Sequence, residues 1–207
     1  MPLDVNGLGV DLAVGCGYKF LSCGPGTPAF LYGARRHHPT LETPLPGWTG
    51  HAEPFALADS NTPAPGIARA RISTPPILSP LALEAALTAF DGVDLARLRT
   101  KSLSLTGFFL RCTDELLTLL GFTPVTPAEP ARRGSQVTLR HAHARGLAVA
   151  LAKVGVLADM RAPDLLRFGV NALYTSHRDM LTVATRLRDL TELSIYDPAP
   201  PTTGPVT

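Results

Sequence analysis

The stretch Asp11–Gly33, DLAVGCGYKFLSCGPGTPAFLYG, governs how the rest of the chain is read. Two short apolar runs, Asp11–Cys16 and Ala29–Gly33, have the length and composition of strands. Glycines stand at 15, 17, 24 and 26, and Lys19 lies among them beside Tyr18. Lysine is scarce in this chain. Lys19, Lys101 and Lys153 are the only three, against sixteen arginines. An apolar strand therefore delivers a rare amine into a glycine-rich turn, where backbone can approach a bulky ligand. A lysine desolvated there favours the neutral amine that forms Schiff bases. The plain alternative is a surface lysine at a strand end.

Composition sets the bounds. With 207 residues, 45% of them hydrophobic, the chain has room for one large domain or two small ones and for a substantial core. Its net charge is +2, with no basic run beyond Arg35-Arg36-His37-His38 and Arg132-Arg133, which argues against nucleic acid as a partner. Cys16, Cys23 and Cys112 lack metal-ligand spacing and read as reduced thiols of a cytoplasmic protein, so no metal site is expected. The N-terminus has neither a basic nor a long apolar segment of the signal-peptide kind, and no apolar run has the length of a membrane span.

Downstream, Pro39–Pro80 is irregular and proline-rich but carries Trp48, His51 and Phe55, as an ordered loop over a site does. Ser79-Pro80 is expected to open an apolar, buried helix, with serine as N-cap and proline at the first position. Asp94 is expected to cap a second, long helix that Gly121 stops near Leu120. A proline-rich connector, Thr123–Arg133, follows. The pattern then becomes strand Gln136–Arg140, helix His143–Lys153, strands Val156–Met160 and Leu166–Val170, and a closing helix Ser176–Thr191. The expected division is 1–121, an incomplete first part with the long helix; 122–197, a small α/β domain; and 198–207, a disordered tail. Two short strands and an apolar helix leave a sheet edge and a helix face unpaired, as the C-terminal portion of a larger α/β fold would.

The segment VGCGYKFLSCGPGTPAFLY resembles the cofactor-lysine segment of kynureninase, a pyridoxal-phosphate enzyme of the aminotransferase class V group. The resemblance continues in order through PLPGWTGHAEPFAL, ARISTPPILSPLALEAAL, RTKSLSLTGFF, RRGSQVTLRH and RAPDLLRFGVNALYTSHRDM, covering nearly the whole chain. It implies the C-terminal half of a type I pyridoxal-phosphate fold: the end of the large cofactor domain plus a small C-terminal α/β domain. It also implies a homodimer that cleaves L-kynurenine or 3-hydroxykynurenine with water, giving anthranilate or its hydroxy form and L-alanine, in tryptophan breakdown toward NAD.

The resemblance also implies residue roles. Lys19 matches the lysine that carries the cofactor and then shuttles protons. Tyr18, Trp48 and Thr74 match cofactor-phosphate contacts. Pro75 biases Thr74 toward an extended conformation that presents its hydroxyl, and in the wider fold such a contact often comes from the partner subunit. Arg167 in LLRFGV matches the arginine that grips the substrate's α-carboxylate, a task suited to a planar fork. His51 stands in a matched block, where a substrate-pocket role and a structural loop role are equally open. Tyr174 and His177 read as supports of the fold; Arg132, Arg133 and Gln136 as structural or interface residues. Ser22-Cys23 departs from the Asn-Gly expected beside the lysine.

Family members are about twice this length. Their N-terminal half supplies the phosphate loop, the ring-stacking aromatic and the aspartate that keeps the pyridinium nitrogen protonated. The expectation is a chain inactive alone, with three origins open: half of a split gene with a separately encoded N-terminal half, a truncated gene product, or a misannotated start. The alternatives are a non-catalytic remnant and another class V enzyme such as a cysteine desulfurase.

Overall fold

The computed structural model describes residues 3–199. The chain divides into two compact units, residues 3–92 and a second beginning at Val93. The sequence places the boundary at 121/122. The units meet earlier because the long helix buries Leu105, Phe109 and Cys112 in the C-terminal core. Most of the expected tail, from residue 200 on, lies outside the described residues.

In the first unit, β1 (Leu12–Cys16) and β2 (Ala29–Gly33) form an antiparallel pair in register from Leu12 opposite Gly33 to Cys16 opposite Ala29. After short 3-10 turns at Arg35–His37, Trp48–Gly50 and Gly66–Ala70 comes α1 (Leu78–Leu87). The hydrophobic residues buried in this unit are alanines, Ala34 and Ala64. Polar ties organise its loops instead. Arg69 donates to the carbonyls of Ala64, Pro39 and Leu41 at 3.2, 2.9 and 3.3 Å. Arg36 and His37 converge on Asp11, and their hydrogen bonds hold its carboxyl below the usual range.

Helix α1 departs from expectation twice. Its N-cap is Ile77, with no side-chain cap, so Ser79 and Pro80 sit inside the first turn. Proline is tolerated there because the first amides of a helix lack intrahelical partners in any case. The helix is also not buried: Leu78 is 82% and Leu81 52% exposed.

The second unit opens with α2 (Leu95–Leu116). Asp94 caps it, its carboxylate accepting from the amides of Ala96 and Arg97 at 2.8 and 3.3 Å. A 3-10 turn follows, and Gly121, at φ +86°, ends it in the left-handed region that glycine adopts freely. The sheet that follows is antiparallel, in the order β3 (Thr123–Pro124), β4 (Gln136–Arg140), β6 (Leu165–Gly169), β5 (Asp159–Arg161). Helix α3 (Ala144–Lys153) connects β4 to β5, and α4 (His177–Glu192) closes the unit. Ser176 and Asp179 form a reciprocal capping box at the start of α4.

Strand alternation gives this sheet two unlike faces. Val137, Leu139, Leu166, Phe168 and Met160 point into a core shared with α2, α3 and α4, where Phe109 meets Phe168 edge-on at 5.2 Å. Thr138, Arg140, Arg161 and Arg167 alternate with them, on the opposite face.

Candidate functional site

Three groups of residues carry the expected chemistry, two in the first unit and one in the second.

The first is the turn after β1. Gly17 is buried, and a Cβ there would lie 2.7 Å from Thr27 Cγ2 and 3.2 Å from Leu83 Cδ1. Glycine is thus the residue that lets the chain pass. Beyond it the turn closes on itself: the Ser22 amide donates to the Lys19 carbonyl at 3.0 Å, and the Cys23 amide to Gly17 at 3.2 Å. Thr27 Oγ1 donates to the carbonyl of Cys23 at 2.9 Å, folding the glycine loop back. The Lys19 amine lies 5.2 Å from the centre of the Tyr18 ring. Both side chains are exposed, so the desolvated lysine expected from the apolar flank is not what this unit builds. Ser22 has φ +58°, a left-handed conformation that asparagine and glycine adopt more readily than serine. This is the physical content of its departure from Asn-Gly.

The second group is built where residues 47–50 cross residues 71–73. A Cβ at Gly47 would lie 1.5 Å from the Ile72 carbonyl oxygen, and one at Gly50 2.4 Å from that of Arg71. Thr49 Oγ1 ties the crossing together by donating to the Ser73 carbonyl at 3.0 Å. Trp48 is thereby held beside the stretch leading to Thr74, which is itself exposed. Trp48 packs edge-on against Phe55 at 5.6 Å and lines a surface hollow with Gly47, His51 and Asn61. His51 Nδ1 lies 2.9 Å from both the amide nitrogen and the carbonyl oxygen of Glu53. Its Nε2 is buried and has no hydrogen-bond partner among the described residues.

The third group is on the polar face of the C-terminal sheet. Arg167 is on β6, an inner strand, opposite Thr138 of β4 on one side and Asp159 of β5 on the other. Its guanidinium Nη2 is paired with Asp159 Oδ2, while its Nε is buried without a hydrogen-bond partner among the described residues. Arg161 reaches the same Asp159 oxygen at 3.1 Å. Sequence reading missed Asp159. Its only signal is a spacing of eight from Arg167, which becomes a cross-strand contact once the β5–β6 hairpin is drawn.

Tyr18 with Lys19, and Trp48 with His51 beside the Thr74 stretch, are therefore brought together locally in the first unit, and Arg167 belongs to the second. Tyr174 is exposed, and His177 accompanies Phe108 and Ser104 on the α2–α4 contact, with its Nε2 2.9 Å from Ser104 Oγ. Among the described residues, no helix is long and apolar enough to cross a membrane.

The fold is that of pyridoxal-phosphate enzymes of the class V aminotransferase type. An apo cysteine desulfurase from Thermococcus onnurineus NA1 superposes with a TM-score of 0.76 at 20% identity, covering 93% of this chain and 50% of that one. A mutant of the lyase C-DES, with glycine covalently linked to its PLP cofactor, gives 0.73 at 19% identity, over 91% and 48%. Sequence narrows the class. Residues 98–187 match the family model of the kynureninase C-terminal domain. The chain is 51% identical over 178 residues to a kynureninase of Deinococcus radiodurans, and 42% identical over 201 residues to one of Burkholderia mallei. These alignments cover 86% and 95% of this chain but 43% and 47% of the relatives, so the chain spans a little under half their length.

Proposed function

We propose that this chain is the portion of a kynureninase-type hydrolase that supplies the cofactor lysine and the substrate-carboxylate arginine. The substrate in this reading is L-kynurenine or 3-hydroxykynurenine, cleaved with water to anthranilate or 3-hydroxyanthranilate and L-alanine. The enzyme is a cytoplasmic homodimer, and the remainder of the fold is contributed by further sequence, in the same polypeptide or a second one. The observation that carries the reading is the 42% identity over 95% of the chain to a relative named kynureninase, an extent that includes every candidate site segment and not the C-terminal domain alone.

The residues present fit pyridoxal phosphate. Lys19 offers an accessible primary amine on a glycine-lined turn. Trp48 offers an indole N–H in the hollow that it lines with His51, whose Nε2 is buried. Tyr18 and Thr74 offer exposed hydroxyls. When bound, the cofactor supplies an electron sink for charge developing at the substrate Cα. Lys19 would hold the cofactor and would move the proton at the substrate Cα. Tyr18, Trp48 and Thr74 hold the phosphate. Arg167 receives the α-carboxylate and fixes the substrate's orientation. His51 presents Nε2 within the pocket.

The test is a chimera in which residues of this chain replace the matched portion of the Deinococcus radiodurans kynureninase. Loaded with pyridoxal phosphate, it should release fluorescent anthranilate from kynurenine and leave cysteine untouched. A folded, loaded chimera that does not split kynurenine contradicts the reading. Sulfur release from cysteine points instead to the desulfurases that share the fold.

A further inference from the structure

We infer that Asp159 is the positioning residue of the carboxylate subsite, holding the Arg167 guanidinium in the orientation that receives the substrate. This inference rests on the proposed role of Arg167 and adds to it a residue that no sequence motif marks.

The placement follows from register. Asp159 and Arg167 face each other across β5 and β6. Their side chains share the face that the helices leave uncovered, so a small anion can approach there. On the opposite flank Arg167 faces Thr138, which carries no charge. Asp159 is the acid paired with Arg167 among the described residues, and it is shared with Arg161. Arg161 is the more exposed arginine, with a side chain 59% accessible against 30% for Arg167. The geometry of the pair also leaves capacity unused. A guanidinium has five N–H donors in a rigid fork. Asp159 engages Nη2 through Oδ2, and Nε is buried with no hydrogen-bond partner among the described residues. One carboxylate therefore anchors the fork without filling it, and the 30% of the side chain that remains accessible is where a second can be received. Without the anchor, a long flexible side chain on an open sheet face has no reason to keep that orientation. A competitor for the substrate would instead occupy the fork with both oxygens.

The test uses the active chimera and a double-mutant cycle. Asp159→Ala should raise KM for kynurenine about tenfold, the effect of losing one charge-assisted hydrogen bond, with kcat changed less than about threefold. Asp159→Asn keeps an oxygen acceptor for Nη2 and should restore KM to within about threefold of the parent. Because Asp159 acts through Arg167, the double variant Asp159→Ala/Arg167→Ala should be no worse than Arg167→Ala alone. Additive losses, or a KM that stays constant or falls in Asp159→Ala, overturn the inference. If Arg167→Ala itself leaves KM unchanged, the reading of Arg167 as the carboxylate residue has failed, which is a separate result. Should the alanine variants not fold, NMR on the folded Asp159→Asn chimera decides. Its Arg167 Nε–Hε resonance should stay dispersed and should move when L-alanine is added. A resonance at the position of exposed arginines, or one indifferent to L-alanine, overturns the inference.

Discussion

Gly47 passes so close beneath Ile72 that a Cβ added to it would lie 1.5 Å from the Ile72 carbonyl oxygen and 2.3 Å from the carbonyl carbon. This crossing holds Trp48 beside the chain leading to Thr74. The obstacle is backbone, which cannot swing aside as a side-chain tip can. Gly47→Ala should therefore separate the two segments, weaken pyridoxal phosphate binding and destabilise the protein by about 1–3 kcal/mol. A cofactor titration and a denaturation curve check both effects. Gly134→Ala is the control: nothing lies within 4 Å of its added Cβ, and its effect should stay within about 0.5 kcal/mol.

His141 should make the second unit sensitive to mild acid. Its ring is buried, stacked on Phe122 at 4.3 Å, and bonded at both nitrogens. Nδ1 accepts from the His143 amide at 3.1 Å, and Nε2–H donates to the Leu120 carbonyl at 3.1 Å. An imidazolium would turn a donor toward the His143 amide. Burial lowers the pKa from the ordinary 6.5, and the nearby His143 adds to the effect, against the Leu120 hydrogen bond. Because the folded-state pKa is depressed, stability is complete above about pH 6.5 and is lost as the pH falls below it, where only the unfolded chain takes up the proton. Denaturant midpoints at pH 7.5 and 5.5 should differ in the parent and differ less in His141→Gln.

Ser176→Ala should remove the cap of α4 and cost about 1 kcal/mol. The Ser176 amide and hydroxyl both donate to Asp179, at 2.8 Å each, and hold its carboxyl below the ordinary range. This contribution is present at neutral pH and disappears as acid protonates Asp179. Asp179→Asn should therefore lower the thermal midpoint at pH 7 and lose that effect in strong acid.

The proposed site should separate cofactor loss from substrate loss. Arg167→Ala in the chimera should leave the bound-cofactor absorbance nearly intact while lowering kcat/KM by roughly two to three orders of magnitude. Trp48→Phe should do the reverse, keeping an aromatic ring but removing the N–H, so that cofactor affinity falls first. Absorbance titration beside steady-state kinetics distinguishes the two.

What the sequence disclosed depended on how local the cause was. Asp94 and Gly121 were legible as the start and stop of α2 and its final turn, because a side-chain cap and a left-handed glycine act within one turn. Strands β1 and β2 were legible as two apolar runs, while their antiparallel pairing comes from the structure. The start of α1 was not, because Pro80 is compatible with any place in a first turn. Strand β5 was expected at Val156–Met160 but pairs over Asp159–Arg161. Val156 and Met160 are buried, yet the strand's extent is fixed by its partner β6, which a single-segment pattern does not contain. The two-residue β3 was hidden in a proline-rich connector for the same reason. In the site, residue types and blocks pointed to Lys19, Trp48 and Arg167. The Gly47–Ile72 crossing and the Asp159–Arg167 pair are tertiary contacts and required coordinates.

Lys19 is the residue on which the functional reading turns, and the other two lysines are built differently: Lys101 lies within α2 and Lys153 at the end of α3. The decisive measurement is borohydride reduction of the chimera loaded with pyridoxal phosphate, followed by peptide mapping. Among the lysines contributed by this chain, the pyridoxyl group should be found on Lys19. Its presence on Lys101 or Lys153, or its absence from Lys19 in a loaded and folded protein, would contradict the reading.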